Sequence, residues 1–485
     1  MNCKHFCTKL IICLLLLTSC SKSEDLPVDL QINNFVWKGL NAYYLWQSDI
    51  PDLQDRRFGN QSQLNSYLSG FSSPESLFEN LLNRPEDRFS VIVDDYIALE
   101  NSFQGINLSN GMEFGLVRYK DGSSNIYGYV RYVIPNSDAD NMGIIRGMLF
   151  NKVNGIQLTD TNFFNFLFRG PSIYTIGLAD YNDGNPIFNN ITYTLTKSEI
   201  EENPIKIAKI FTENNTKIGY LMYNQFARNY DLELNSVFGN FKSENIDELI
   251  VDLRYNPGGF TSSASHLASM ITGQFTGELF SKESWNNKVM NSIPSDNFEN
   301  RFLDKIRIFD QNRNIIKEEG INSLGLNRVY FIVSGSTASA SELLINSLSP
   351  YIDVRIIGLK TEGKVRGSVT LYDSDNYLRN GKNFNLNHTY AMQPLVLEIV
   401  NKNGDNFPNG MIPAINLQGI QISENFGNLG VLGDRNELLL NRTIFYILTG
   451  QKKIEAQKEL TIKEFYSSKL ATPTSNNMYS DFLKK

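Results

Sequence analysis

Apolar residues recur at a helical period over positions 27–100, at a strand period over 103–199, and in short continuous runs over 200–450. In the first stretch Ile32, Val36, Leu40 and Tyr43 share one helical face. Ser73-Pro74 supplies a helix start with Pro at the first helical position, and Leu77, Phe78, Leu81 and Leu82 continue that helix. The aromatic run Tyr43-Tyr44-Leu45-Trp46 reads as packing. In the second stretch, 111–117 and 126–134 read as strands between turns. In the third, buried strands over 218–223, 248–254, 329–333 and 354–358 alternate with helical patterns, which predicts an α/β core with parallel pairings. The polar stretch 283–325 reads as an irregular insertion, 391–400 as β structure and 436–448 as a closing helix. The tail after Gly450 is polar and charged and its pattern says little about structure, and no internal repeat is visible. The expected divisions are 1–19, 20–102, 103–199, 200–450 and 451–485, an α/β and α+β multidomain chain.

Composition narrows the class. A chain of 485 residues with 41% hydrophobic and 12% aromatic residues has material for more than one core. A net charge of −7 without a basic stripe argues against nucleic acid as a partner. Lys4 and Lys9 precede an apolar run over 10–17 that is too short to span a bilayer. It ends in Leu17-Thr18-Ser19-Cys20, which resembles a bacterial lipobox; the resemblance implies cleavage before Cys20 and lipidation of that cysteine. Ser21-Lys22-Ser23-Glu24-Asp25 is similar to the surface-export signals of Bacteroidetes-type lipoproteins. The expected location is therefore the bacterial cell envelope, as an outer-membrane lipoprotein, periplasmic or surface-exposed, held to the membrane by its lipid. All four cysteines (Cys3, Cys7, Cys13, Cys20) lie in this segment, so a mature chain has no disulfide and no cysteine zinc site. The histidines are His5, His266 and His388, and none sits in an evident catalytic motif. Any chemistry must run with little histidine, and no metal or cofactor is expected.

Three motifs carry candidate chemistry. In 329–368 a strand is broken by Ser334-Gly335-Ser336, and a helical pattern starts at Ser339. A strand-to-helix turn carrying Ser is where hydrolases place a nucleophile, and helix-start N–H groups point outward there. Ser339-x-x-Glu342 is also a helix capping box. The following strand leads to the glycine-bounded Lys364, which also reads as a solvated loop lysine. Upstream, 248–254 ends in Asp252-Leu253-Arg254-Tyr255-Asn256-Pro257-Gly258-Gly259, where paired glycines let backbone approach a ligand and present N–H groups. Ser341, Lys360 and the Ser265-His266 pair are rivals; the last is discounted because adjacent side chains on one element do not face each other.

Taken in order, DLRYNPGG, STASASE and a glycine-flanked Lys resemble the C-terminal processing peptidases (tail-specific proteases), the S41 serine peptidases. Upstream, Pro135-Asn136-Ser137-Asp138-Ala139 and Gly147-Met148-Leu149-Phe150-Asn151-Lys152-Val153-Asn154-Gly155 resemble a bacterial PDZ domain. The likeness covers most of the chain, to the "G-x-x-P" stretch over 410–413. It implies an N-terminal helical region, a PDZ-like β domain and an α/β peptidase core of the S41, crotonase-like type. It further implies Ser339 as nucleophile, Lys364 as its general base, and Gly258, Gly259 and Ala340 as oxyanion donors. Glu113, Phe114, Gly115 and Leu116 would form the carboxylate-binding loop that captures a substrate's C-terminus by strand addition. Where the family has a Gln four positions after the Lys, this chain has Ser368, the expected orienting partner. The implied function is a serine endopeptidase cutting proteins near their C-termini through an acyl-enzyme. Without that chemistry, the same chain would be a silent PDZ-containing adaptor lipoprotein, or an acyl hydrolase of another kind on the same core.

Overall fold

The computed structural model describes residues 27–84, 86–309, 314–452, 463–472, 475 and 478–480. The predicted leader and Cys20 lie outside them. Among the described residues no helix is long and apolar enough to cross a membrane.

The helical period at the start becomes α1 (Val28–Tyr43), α2 (Gln61–Leu68), α3 (Pro74–Asn80) and α4 (Tyr96–Phe103). Asn60 and Ser73 cap α2 and α3 by accepting the N–H of Gln63 and Ser76, satisfying donors that a helix start leaves open. Ile32, Val36 and Leu40 are buried on the predicted face. They join the same apolar cluster as the largest domain, so this region packs on the core instead of standing apart. Tyr44 is buried and its hydroxyl donates to Asp87 Oδ2 at 2.9 Å, while Tyr43 and Trp46 make ring contacts, as packing residues should.

The strand-period stretch folds into an antiparallel sheet of β1 (Met112–Arg118), β2 (Ile126–Val133), β3 (Leu149–Val153), β4 (Ile173–Asp180) and β5 (Ile187–Thr196), in that order. Phe114, Leu116, Val130, Phe150 and Ile176 fill its core. Ser137 caps the short helix Asp138–Asn141.

The third stretch contains β6 (Ile205–Glu213), β7 (Thr216–Tyr223), β8 (Glu248–Asp252), β9 (Gly259–Phe260), β10 (Leu279–Trp285), β11 (Glu299–Arg301), β12 (Arg328–Val333), β13 (Asp353–Gly358), β14 (Arg366–Ser368), β15 (Leu395–Val400) and β16 (Gln418–Gln421). The main sheet runs β6-β7-β8-β12-β13-β16 and is parallel except for its β6–β7 pair. Helices α5 (Asp231–Ser243), α6 (Thr261–Ile271) and α7 (Ala340–Leu348) cover one face, and α8 (Leu438–Thr449) covers the other. Along β12, Val329, Phe331 and Val333 join the first cluster while Tyr330 and Ile332 join the second. Burial on both faces is why these strands read as unbroken apolar runs.

One expectation about this stretch is corrected. Positions 283–325 are not irregular: they hold the end of β10, helix Asn287–Ser292, β11 and a hairpin of Lys305–Phe309 with Ile315–Gly320. The hairpin is mostly exposed, so its side chains lack the period that betrays a buried strand. The tail also forms strands, β17 (Glu464–Ser467) and β18 (Met478–Tyr479). β17 extends the antiparallel sheet at β1, and β18 sits inside a second sheet ordered β9-β18-β14-β15-β10-β11.

Candidate active site

Strand β8 delivers the first part of the site, and a buried charge cluster fixes where the chain goes next. Arg254 is fully buried; its guanidinium donates to Asp252, to both oxygens of Glu437 at 2.8 and 3.0 Å, and to Glu424 at 3.1 Å. A buried ion of this kind persists only when its donors are all matched. The loop that follows is clasped to the turn before α7. Ser334 Oγ donates to Arg254 O, Thr337 Oγ1 to Leu253 O at 2.8 Å, and Ala338 N–H to Asn256 O at 3.2 Å.

Ser339 ends that turn with φ +63° and ψ −118°, a strained conformation for a residue with a side chain. The residue is fully buried, and its Oγ makes no hydrogen bond among the described residues. Ser339 and Glu342 are placed as a capping box, in which Glu342 accepts the Ser339 N–H at 2.9 Å. Gly258 lies against it: a Cβ there would sit 2.6 Å from Ser339 Cβ and 3.0 Å from Ala340 N, and the backbone φ is +112°. Gly258→Ala is expected to displace Ser339 and lower turnover about 100-fold, the usual effect of misplacing a reacting group by an ångström. Steady-state kinetics beside a thermal melt checks this, and unchanged turnover in a folded variant refutes it.

Lys364 is equally buried. Burial pulls its pKa down from the ordinary lysine range to about 7, with the nearby Asp87 and Glu342 carboxylates opposing that shift. The Phe89 ring lies 4.9 Å from Nζ, and Leu343, Ile399, Phe407, Met411 and Met478 line the cleft that Lys364 borders. An apolar wall of that kind favours the amine over the ammonium.

Glu342 joins the two halves. One carboxylate oxygen, Oε2, accepts both the Ser339 N–H and the Lys364 N–H at 2.9 Å, which brings the two residues' backbones to a single atom. The other, Oε1, accepts the Gly363 N–H at 2.8 Å and the Thr361 hydroxyl at 2.5 Å. Burial pushes the Glu342 pKa up to about 7, while these four donors favour the ionised form. Thr361 is held in turn by the 410–413 stretch, its Oγ1 accepting the Met411 N–H at 2.8 Å. Gly363 has φ +92°, and a Cβ would strike Pro408 O at 2.5 Å.

The rivals fall away on contacts. Ser341 Oγ is engaged with Asn256 O at 3.2 Å, Lys360 is exposed, and Ser265 Oγ donates to Ser262 O while His266 pairs with Asp231. Three expected roles are not realised in this conformation. Ser368 is buried on β14, but its Oγ has no hydrogen-bond partner among the described residues and so does not orient Lys364. Asn256 Oδ1 takes the Gly258 N–H at 2.9 Å, which closes that donor, whereas the Ala340 N–H is the first of α7 and has no partner within the helix. Glu113, Phe114, Gly115 and Leu116 form no loop. They lie within β1, paired with β2 on one side and, from Gly115 on, with β17 on the other. Sequence reasoning missed Glu342 beyond its cap, and it missed Asp87 and Phe89, which come from the N-terminal region and have no motif.

Parts of the chain are similar to known proteins. The family model "Peptidase family S41" matches residues 217–387, and "Peptidase S41 N-terminal domain" matches 31–91. A carboxyl-terminal-processing protease of Picosynechococcus sp. is 25% identical over 177 residues, covering 36% of this chain and 35% of its own length. A carboxy-terminal-processing protease of Bartonella bacilliformis is 22% identical over 319 residues, covering 60% of this chain and 65% of its own length. The chain thus spans about a third to two thirds of these relatives. The crystal structure of an S41-family protein from Bacteroides fragilis NCTC 9343 covers 86% of this chain and 97% of its own, with a TM-score of 0.61 at 21% identity, so the two share a fold. Both family models of peptidase S41 thus lie in order along one chain, over 31–91 and 217–387, on a fold shared with that protein.

Proposed function

We propose that this chain is a serine-type endopeptidase in which Ser339 is the nucleophile and Lys364 its general base. The observation that carries the reading is a buried lysine with a pKa brought down to about 7, tied to a strained, unengaged serine through one Glu342 oxygen. The neutral amine takes the Ser339 proton as Oγ attacks a peptide carbonyl. The oxyanion is held by the Ala340 N–H and by the Gly258–Gly259 backbone once Asn256 lets go. The resulting ammonium returns its proton to the departing amine. A water activated by the same lysine then hydrolyses the acyl-enzyme. The antiparallel sheet is read as the PDZ-like module that takes a polypeptide by adding it to the β1 edge, with C-terminal segments as the ligands. Cleavage before Cys20, lipidation and residence in the cell envelope belong to the same proposal. No metal or cofactor takes part.

A serine-directed phosphonate tests the chemistry. The expected result is a single adduct on Ser339, located by peptide mass spectrometry and absent from Ser339→Ala, with cleavage of an unfolded protein lost in the same variant. A folded protein that stays unlabelled would instead fit the silent adaptor, a reading favoured by the closed Gly258 donor. Ester turnover without peptide cleavage would point to the other acyl hydrolase.

A further inference from the structure

The edge of β1, where a captured peptide would add a strand, already carries one. β17 lies antiparallel on it, with Glu464 opposite Val117, Tyr466 opposite Leu116 and Ser467 opposite Gly115. Charge matches at both ends of this segment. The Glu464 carboxylate is bound by the Arg131 guanidinium, the Tyr129 hydroxyl and, at 3.0 Å, Ser336 Oγ from the turn that leads to Ser339. Arg131 is 1% exposed, and space for the carboxylate exists because Gly115 has no side chain: a Cβ there would lie 2.1 Å from Glu464 Oε2. At the other end Ser468 Oγ donates to Glu113 and accepts the Phe114 N–H at 2.9 Å, while the Lys469 ammonium is buried against Glu202.

The same tail reaches the chemistry. β18 is the only described strand between β9, which continues the Gly258–Gly259 loop, and β14, which follows Lys364. Ser480 N–H donates to Ser368 O at 3.1 Å, and Met478 lines the cleft beside Lys364. A cleft of about 630 Å³ between the β domain and the core is walled by 463–467 together with Ser334, Ser336 and Tyr255.

We propose that the described tail, 464–472 with 478–480, occupies in cis the path of a substrate strand, and that the polypeptides able to displace it carry a carboxylate followed, at the spacing of Glu464 and Lys469, by an ammonium. The reason is the cost of buried charge. Removing the tail takes from Arg131 the carboxylate bound to it and from Glu202 the ammonium bound to it, leaving Glu113 and Glu202 the more distant charges of Lys206 and Arg131, and a buried charge that loses its bound partner destabilises the fold. A strand that brings the same two charges restores both ends, and a strand of other composition does not. In the tail-bound state Ser339 Oγ has no hydrogen-bond partner among the described residues, as a resting enzyme would show. This inference rests on the peptidase reading for what the tail makes way for; occupancy itself is a matter of binding.

The test uses the full chain with Phe260→Cys and Tyr479→Cys, which face each other in register, and with Cys3, Cys7, Cys13 and Cys20 changed to Ser. A fluorescein-labelled peptide of residues 464–480 is the probe, read by polarisation with the disulfide formed and then reduced. The reduced form is expected to bind at least tenfold more tightly than the oxidised one, and at least tenfold more tightly than it binds a probe with Glu464→Lys and Lys469→Glu. Equal binding to both forms, equal binding of both probes, or no binding at all overturns the proposal. If the cysteine variant does not fold, Glu464→Gln in the full chain is expected to bind the probe at least fivefold more tightly than the unaltered chain, and unchanged affinity overturns the proposal. Phosphonate labelling of Ser339 is followed in the same samples. Binding gated by the disulfide with no labelling in either form sinks the peptidase reading and leaves this one standing.

Discussion

Lys364→Met is expected to abolish protein cleavage, by on the order of 10⁴-fold or more, while raising the melting temperature. Both effects come from one cause. An ammonium at this site is paid for by the fold, because apolar walls and full burial favour the uncharged amine. A methionine of similar length keeps the packing and removes that cost. The sign follows from linkage: the folded pKa of about 7 lies below the ordinary lysine value, so the chain loses stability as pH falls toward 7 and keeps the penalty below it. The variant should therefore gain most in melting temperature at pH 6 and least at pH 10. In the unaltered enzyme kcat/KM should rise with pH through about 7, because only the neutral amine accepts the serine proton. A profile flat between pH 5.5 and 8.5, or a Lys364→Met variant with measurable turnover, removes the base from this assignment.

Glu342→Gln is expected to lower kcat by about 100- to 1,000-fold with little change in KM. The glutamine keeps the size of the side chain but turns one acceptor oxygen into a donor facing N–H groups. Two amides, Ser339 and Lys364, share Oε2, and two further donors share Oε1, so either orientation of the amide leaves buried donors opposed. Each unsatisfied buried donor costs about 1–3 kcal/mol, and the two reacting residues drift apart as the loop relaxes. Glu342 acts through the two loops it joins, so its signature is a loss in kcat that Glu342→Asp fails to restore, since the shorter acid cannot reach both loops. Its own pKa, raised to about 7 by burial, adds a stability contribution that is complete below the ordinary carboxylate range and lost as pH rises through 7. In Glu342→Gln that slope disappears, and a melt series from pH 4.5 to 8 reads it directly. Wild-type kcat in the variant would dismiss the positioning role.

The parts of the molecule that were legible in the sequence are those whose burial is symmetrical. β12 and β13 are covered on both faces, so 329–333 and 354–358 announced themselves as strands, and α7 followed because Leu343, Leu344 and Leu348 are all inside. Gly258 and Gly363 were visible as glycines, and their positive φ and close neighbours give the physical reason. The exposed hairpin at 305–320 was invisible because it buries no continuous apolar side, and the tail strands were invisible because Glu464–Ser467 and Met478–Tyr479 are too short to show a period, although Met478 and Tyr479 are buried. Asp87 and Phe89 could not be found by spacing, since their approach to Lys364 depends on how the N-terminal helices dock. The PDZ-type match read 113–116 as a loop, whereas they lie within β1, because a one-dimensional motif cannot show that a distant strand pairs with it.

The surroundings of the Lys364 amine, whose burial lowers its pKa, are gathered from far apart: Asp87 and Phe89 near the start, Glu342 in the middle, Met478 close to the end. Until those pieces meet, the amine is a solvated ammonium with no capacity to activate an alcohol. On the proposed dyad chemistry, a nascent or partly unfolded copy is therefore inert toward itself and its neighbours, and full assembly of the polypeptide is the condition for reactivity.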